Sequence, residues 1–202
     1  MTLRDLKVRC TRSVLPADVR ALLREATKRI RRFQRAHRIP AFVSSDYQGA
    51  YHALQALTTA DLLAGDQFCE WGSGFGVVAC LAAMLDFDAC GIEIEGELVD
   101  AAQQLADDCG LPVEFTRGSF IPKGGDPCQH TTEEFAWLTP DESTTHEELA
   151  LGPDNFDVIF AYPWPDEEWL TENFFELHAA VGGVLVTYHE SGDFRLRRKS
   201  GH

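Results

Sequence analysis

The stretch with the clearest capacity for chemistry is Cys69-Glu70-Trp71-Gly72-Ser73-Gly74-Phe75-Gly76. Its glycines permit a tight turn and let backbone N–H groups approach a ligand closely at a helix N-terminus. A short strand-like run, Gln67–Trp71, precedes them, and an apolar helical stretch from Val77 to about Leu85 follows. A second acid, Glu93, ends the next strand-like run, Ala89–Glu93. A carboxylate there can accept both hydroxyls of a ribose. Strand, glycine loop, helix and strand-end acid together read as a site for an adenosine-containing cofactor.

The details discriminate between cofactors. A dinucleotide fingerprint, G-x-G-x-x-G, would place its third glycine at Val77; here that glycine is Gly76. Glu70 is also unfavourable beside a pyrophosphate, whereas it suits a cofactor bearing an α-ammonium group. A nicotinamide-dependent oxidoreductase is therefore disfavoured.

These residues resemble class I S-adenosylmethionine-dependent methyltransferases, whose first motif is E/D-x-G-x-G-x-G. Glu70-Trp71-Gly72-Ser73-Gly74-Phe75-Gly76 matches it throughout, and Gly91-Ile92-Glu93-Ile94-Glu95 resembles the second motif. The resemblance covers roughly residues 66–190. It implies S-adenosylmethionine as cofactor, with Glu70, Gly72, Ser73, Gly74 and Gly76 around the methionine part. Glu93, with Ile94 beside it, would meet the ribose. After the third strand the family often has an acid facing the adenine amino group; here Arg117-Gly118-Ser119-Phe120 puts Ser119 in that place. Phe120 either packs on the adenine or belongs to the core.

After the fourth strand, Ala161-Tyr162-Pro163-Trp164-Pro165 occupies the place of the Asn/Asp-Pro-Pro-aromatic loop of the family's amino-methyltransferases. It shares the proline–aromatic character but lacks the Asn or Asp, so methylation of an exocyclic base amine is not implied. Tyr162 and Trp164 are catalytic candidates because ligands bind at the C-terminal ends of parallel strands, and a sulfonium favours aromatic faces. Pro163 lies between them as a substrate contact. His189, ending the fifth strand, is a candidate general base at neutral pH. Asp46 and Tyr47 either hold a substrate amine and cover the cofactor, or simply begin a helix, where Asp46 favours the dipole. Trp71 reads as a packing residue.

The elements that must position these groups alternate. Residues 16–38 predict a helix with Pro16 in its first turn and Val19, Leu22, Leu23, Ala26, Ile30 and Phe33 on one face. Ser45 and Gln48 form a capping-box pattern for a second helix to about Leu57. Beyond the glycine loop follow a helix Glu97–Cys109 closed by Gly110, a strand Pro112–Thr116, a strand Phe156–Ala161, a helix Glu167–Ala180 and a strand Gly183–Tyr188. This is an α/β, Rossmann-like, mostly parallel sheet with helices on both faces. Residues 1–60 form an N-terminal helical extension and 61–202 the cofactor-binding domain. Residues 121–154, polar and acidic, read as an inserted lid with a short helix at Thr145–Leu151. Few residues follow His189, enough for one short strand at about Phe194–Arg198. Three outcomes stay open there: an incomplete strand hairpin, a truncated chain, or another segment completing the edge.

Charge narrows the partners. Residues 1–38 hold twelve lysines and arginines against three acids, whereas residues 39–194 hold only Arg117 and Lys123 against twenty-nine acids. An acidic body repels phosphate and attracts cations, so a small-molecule or protein acceptor carrying an amine is expected and nucleic acid is not. The basic segment is expected to lie on the acidic body of its own chain or of a second copy. The six cysteines contain no C-x-x-C pair and no zinc-like spacing with histidine, so no metal is expected. No membrane span or signal peptide is visible, and a cytoplasmic protein is the expectation. The reading is a methyltransferase; a non-catalytic adenosine-binding module is the alternative.

Overall fold

The computed structural model describes residues 2–36, 42–121 and 152–201. The strands are β1 (Thr2–Asp5), β2 (Gln67–Trp71), β3 (Asp88–Glu93), β4 (Glu114–Arg117), β5 (Val158–Ala161), β6 (Val184–Tyr188) and β7 (Phe194–Ser200). The helices are α1 (Ala17–Ala36), α2 (Tyr47–Thr59), α3 (Val77–Ala83), α4 (Gly96–Cys109) and α5 (Glu168–His178). One sheet takes the order β1-β7-β6-β5-β2-β3-β4. β2 through β6 pair in parallel, and β7 runs antiparallel to both β6 and β1.

Strand alternation explains the layers. Phe68, Val158, Phe160, Val184 and Val186 face a core shared with α1, α2, α3 and α4. Their neighbours Cys69, Trp71, Ile159, Ala161 and Leu185 face the other way, onto Phe174 and Phe175 of α5. Successive strand residues point to opposite faces, so an apolar residue at nearly every position is what a sheet covered on both sides requires. Both faces carry helices, as expected.

The sheet edge is a finding. Phe194–Ser200 forms the expected last strand, two residues longer than anticipated, and Thr2–Asp5 pairs with it residue by residue from Thr2 opposite Ser200 to Asp5 opposite Arg197. Thr2–Asp5 thus forms the sheet edge beside β7. The C-terminal cations serve the fold. Lys199 is buried and donates to the carbonyl of Ala179 at the end of α5, Arg198 donates to the Leu62 carbonyl, and Arg197 pairs with Glu172. A lysine at a helix C-terminus satisfies carbonyls that have no partner within the helix.

Several boundaries differ from the sequence reading by one to three residues, three of them for a visible reason. Asp46, not Ser45, caps α2, its carboxylate accepting the Gly49 N–H at 3.0 Å. β4 begins at Glu114 rather than Pro112, because Pro112 has no N–H to give to a ladder. α1 starts at Ala17, with Pro16 contributing its carbonyl to Arg20 N at 3.1 Å. The expected lid and its Thr145–Leu151 helix lie largely outside the described residues.

Candidate functional site

The order of the parallel strands reverses at β2, which has β3 and β4 on one side and β5 and β6 on the other. In open α/β sheets that reversal opens a crevice at the carboxyl ends of the strands. The glycine loop leaves β2 there. Ser73 N–H donates to the Ile92 carbonyl at 2.9 Å and Gly76 N–H to the Ser73 carbonyl at 2.7 Å, closing the turn. Gly72, Gly74 and Gly76 all have positive φ, between 53° and 66°. At Gly76 a Cβ would overlap the Phe115 ring and come 2.9 Å from Ala102 Cβ, so glycine there also serves close packing of α3 on its neighbours.

Glu93 closes the loop from the next strand. It is buried, and its carboxylate accepts the Gly74 N–H at 2.7 Å and the Glu95 N–H at 3.0 Å. Burial raises its pKa, and those backbone donors work against the rise. Ile94 follows as an exposed apolar residue, tied to β4 by Arg117 Nε donating to its carbonyl at 3.3 Å. Across from it, buried Ser119 uses its Oγ to accept the Ile121 N–H at 3.1 Å. Phe120 stacks on Trp71 at 4.8 Å with 6° between the rings, and Phe174 meets it edge-on at 6.0 Å.

Glu70 sits behind the loop. It is buried and accepts the Ala79 N–H at 2.8 Å, so one carboxylate oxygen caps the first turn of α3. Burial, first, and then the charge of Glu93 push its pKa up to about 8, against the backbone donors of Ala79 and Val78. Tyr47 lies near enough for the Glu70 charge to raise its phenol, which burial above all pushes up to about 12. Ahead of α2, Phe42 lies over the glycine loop, 5.9 Å ring to ring from Phe75 and 2.8 Å from where a Cβ of Gly74 would stand. The segment leading into α2 therefore roofs the glycine loop.

On the other side of β2, the end of β5 presents Tyr162, Pro163 and Trp164, all half-buried. Tyr162 meets Tyr188 of β6 edge-on at 4.8 Å, and Tyr188 meets Phe194 of β7 at 4.8 Å. Phe194 in turn approaches Gly49 of α2 beside Asp46, which lies 3.7 Å from Arg12. The Tyr162 phenol is raised by burial, then by Tyr188 and Glu190. Tyr188 and Phe194 were not singled out in the sequence. Their signal, aromatic residues at a strand end and the opposite strand start, has meaning only once β6 and β7 are paired.

His189 is buried between β6 and α5. Its Nε2 is 2.8 Å from Thr187 Oγ1 and its Nδ1 is 3.7 Å from Glu168 Oε1. Burial, then Arg195, lowers its pKa, so the ring is neutral at pH 7. The structure thus brings Glu70, Gly72, Ser73, Gly74, Gly76 and Glu93 together as one cradle. Tyr162, Tyr188, Phe194 and Asp46 form a wall of their own, and His189 lies inside the protein behind it.

Ser73 Oγ and Trp71 Nε1 are buried polar atoms with no hydrogen-bond partner among the described residues. An orphaned hydroxyl within a glycine loop fits a polar ligand seated there. The loop amides, the Glu93 carboxylate and exposed Ile94 are the donor, acceptor and apolar groups that an adenosine-type cofactor needs.

No family model and no curated protein matches this sequence. Solved structures do. An RNA methyltransferase from Salinibacter ruber, in complex with S-adenosyl-L-homocysteine, is 18% identical with a TM-score of 0.53, over 80% of this chain and 95% of that one. An O-methyltransferase from Bacillus cereus, also in complex with S-adenosyl-L-homocysteine, is 17% identical with a TM-score of 0.49, over 86% of this chain and 66% of its own. With the strand order, the antiparallel β7 and the Salinibacter likeness taken together, the chain has the fold of the class I S-adenosylmethionine-dependent methyltransferases.

Proposed function

We propose that this chain is an S-adenosylmethionine-dependent methyltransferase whose acceptor is an amine, on a small molecule or on a protein lysine. The observation that carries the reading is the Glu93 carboxylate, 2.7 Å from the Gly74 N–H, at the strand ends where the sheet reverses. The Salinibacter protein, which shares this fold, holds S-adenosyl-L-homocysteine. Glu93 accepts the ribose hydroxyls, Ile94 and Phe120 flank the adenine with Ser119 beside it, and the loop from Gly72 to Gly76 holds the methionine part. Glu70, behind the loop, accepts the Ala79 N–H at the start of α3 and so fixes the loop around the methionine part. When bound, the cofactor supplies an electrophilic methyl group on a sulfonium.

The chain's residues then orient the acceptor and exclude water. Transfer to a nitrogen is an in-line displacement, governed by positioning and desolvation. Tyr162, Pro163 and Trp164 line the acceptor side, with Tyr188 and Phe194 extending the aromatic wall. Asp46 and Glu190 give that wall negative charge, which attracts an ammonium before it loses its proton. Tyr47 and Phe42 cover the cofactor.

The test is transfer of labelled methyl groups to amine acceptors, basic peptides and neutral alcohols, with Tyr162→Ala and Trp164→Ala alongside the parent. Turnover on amines that falls at least tenfold in each variant supports the reading. Equal turnover on cationic and neutral acceptors refutes the amine assignment. Cofactor binding with no turnover on any acceptor would make the chain a binding module.

A further inference from the structure

The two faces of α1 have different fates. Val19, Leu22, Ala26 and Ile30 are buried in the chain's own core. Opposite them Arg20, Arg24, Lys28, Arg31, Arg32 and Arg35 are all exposed. With a rise of about 1.5 Å per residue, this row runs for roughly 22 Å. Arg20 and Arg24, Arg24 and Lys28, Lys28 and Arg32, and Arg31 and Arg35 are each four residues apart. Like charges at that spacing repel and weaken a helix. The acidic body does little to relieve them. Arg29 reaches Asp108 at 2.7 Å, and Lys28 lies 3.4 Å from Glu25 of the same helix. Among the described residues, Arg20, Arg24, Arg31, Arg32 and Arg35 have no ion pair. The basic segment is expected to lie on the acidic body of its own chain or of a second copy. α1 packs on its own chain through its apolar face, and among the described residues only Arg29 of this helix pairs with an acid of that body.

The row has a place relative to the site. Lys28, Arg31, Arg32, Arg35 and Ala36 make up the C-terminal end of the exposed side of α1. On the buried side of the same turn, Phe33 packs edge-on against Phe75 of the glycine loop at 5.4 Å. The C-terminal end of α1 thus packs on the glycine loop, with the basic row on its outward face.

We infer that the exposed face of α1 docks the sugar–phosphate backbone of a nucleic acid. Guanidinium forks match phosphate oxygens in pairs and hold their charge at any physiological pH. An anionic membrane is a poorer fit, because a surface-bound helix inserts an apolar face and this helix has buried its own. An acidic protein is also a poorer fit. Protein interfaces are built on an apolar centre, whereas nucleic-acid interfaces are polar and strongly positive. None of the large exposed apolar residues, which include Val14, Val43 and Trp169, belongs to α1. The acidic body does not veto the contact, since its field is screened beyond about 8 Å at physiological salt. That screening is why the net charge, which argued against nucleic acid, is a poor guide to one face. The inference is independent of cofactor and acceptor.

The test is anisotropy of labelled single-stranded RNA, the DNA of the same sequence, a polyglutamate peptide and vesicles of anionic lipid. Each is titrated with the full chain between 50 and 200 mM salt, and with the quadruple variant R24Q/K28Q/R31Q/R35Q. Binding of RNA, DNA or both is expected, with affinity falling steeply with salt. Four lost phosphate contacts should cut the salt slope by about 3 and the affinity at least tenfold. The relative affinity for RNA and DNA identifies which nucleic acid is meant. A variant of unchanged Tm confirms that the loss is local. No binding at 50 mM salt, equal binding by the variant, or polyglutamate or vesicles bound as tightly as nucleic acid would each overturn the inference.

Discussion

Raising the pH from 5 to 8 should cost the folded chain stability through Glu70. Its pKa rises from 4.5 to about 8 on folding, because burial beside Glu93 outweighs the N–H groups of Ala79 and Val78. Between those two values the native state holds a proton that the unfolded chain has released. Stability therefore falls as pH rises through that window, by up to about 1.4 kcal/mol per unit. From pH 5 to pH 8 the loss comes to about 3 kcal/mol. For a domain of this size that corresponds to roughly 6–12 °C in Tm. Glu70→Gln keeps an oxygen for the Ala79 N–H but has nothing to titrate. Urea unfolding of parent and variant at pH 5, 6, 7 and 8 isolates the effect, since the contribution of Glu93 remains in both. The variant should gain on the parent at each step upward. Parallel profiles across the range would refute the reasoning.

Other expectations follow from single positions. Asp46→Ala removes the cap of α2 and should lower stability by about 1 kcal/mol, read as a shift in the urea midpoint. Gly76→Ala combines a φ of 66° with overlap on Phe115, and should cost about 3 kcal/mol or more. Gly110→Ala, with a φ of 65° but open space around the new Cβ, should cost only about 1 kcal/mol by the same measurement. Ile30→Ala should cost about 2–4 kcal/mol, because Ile30 is only 5% exposed where α1 joins the core. A loss near zero would mean that α1 is not part of the cooperative unit.

The central part of the fold was legible in the sequence because local chemistry and tertiary context agree there. β2, the glycine loop and α3 fall where the apolar runs and glycines put them, and Gly110 closes α4 in the left-handed conformation as expected. What was not legible depends on distant pairing. Thr2–Asp5 is short and mostly exposed, with no alternation to mark it as a strand, and it gains meaning only from its ladder with β7. Nothing in the spacing of Arg197, Arg198 and Lys199 names a partner, yet each serves a buried or half-buried one. In the candidate site the cradle from Glu70 to Gly76 and Glu93 is local in sequence and could be read directly. The wall of Tyr162, Tyr188 and Phe194 is assembled by three strands, so no spacing announces it. Net charge is a coarse signal for the same reason, since it averages the exposed row on α1 with an acidic body elsewhere.

The most direct measurement is calorimetric titration of the full chain with S-adenosylmethionine, S-adenosylhomocysteine and NAD, repeated on Glu93→Gln. The account predicts binding of the first two and not of NAD. It also predicts affinity about 10- to 100-fold weaker in the variant, the range expected when a hydrogen-bonded charge is lost. Binding of NAD in preference to the other two, or unchanged affinity in Glu93→Gln, would contradict it.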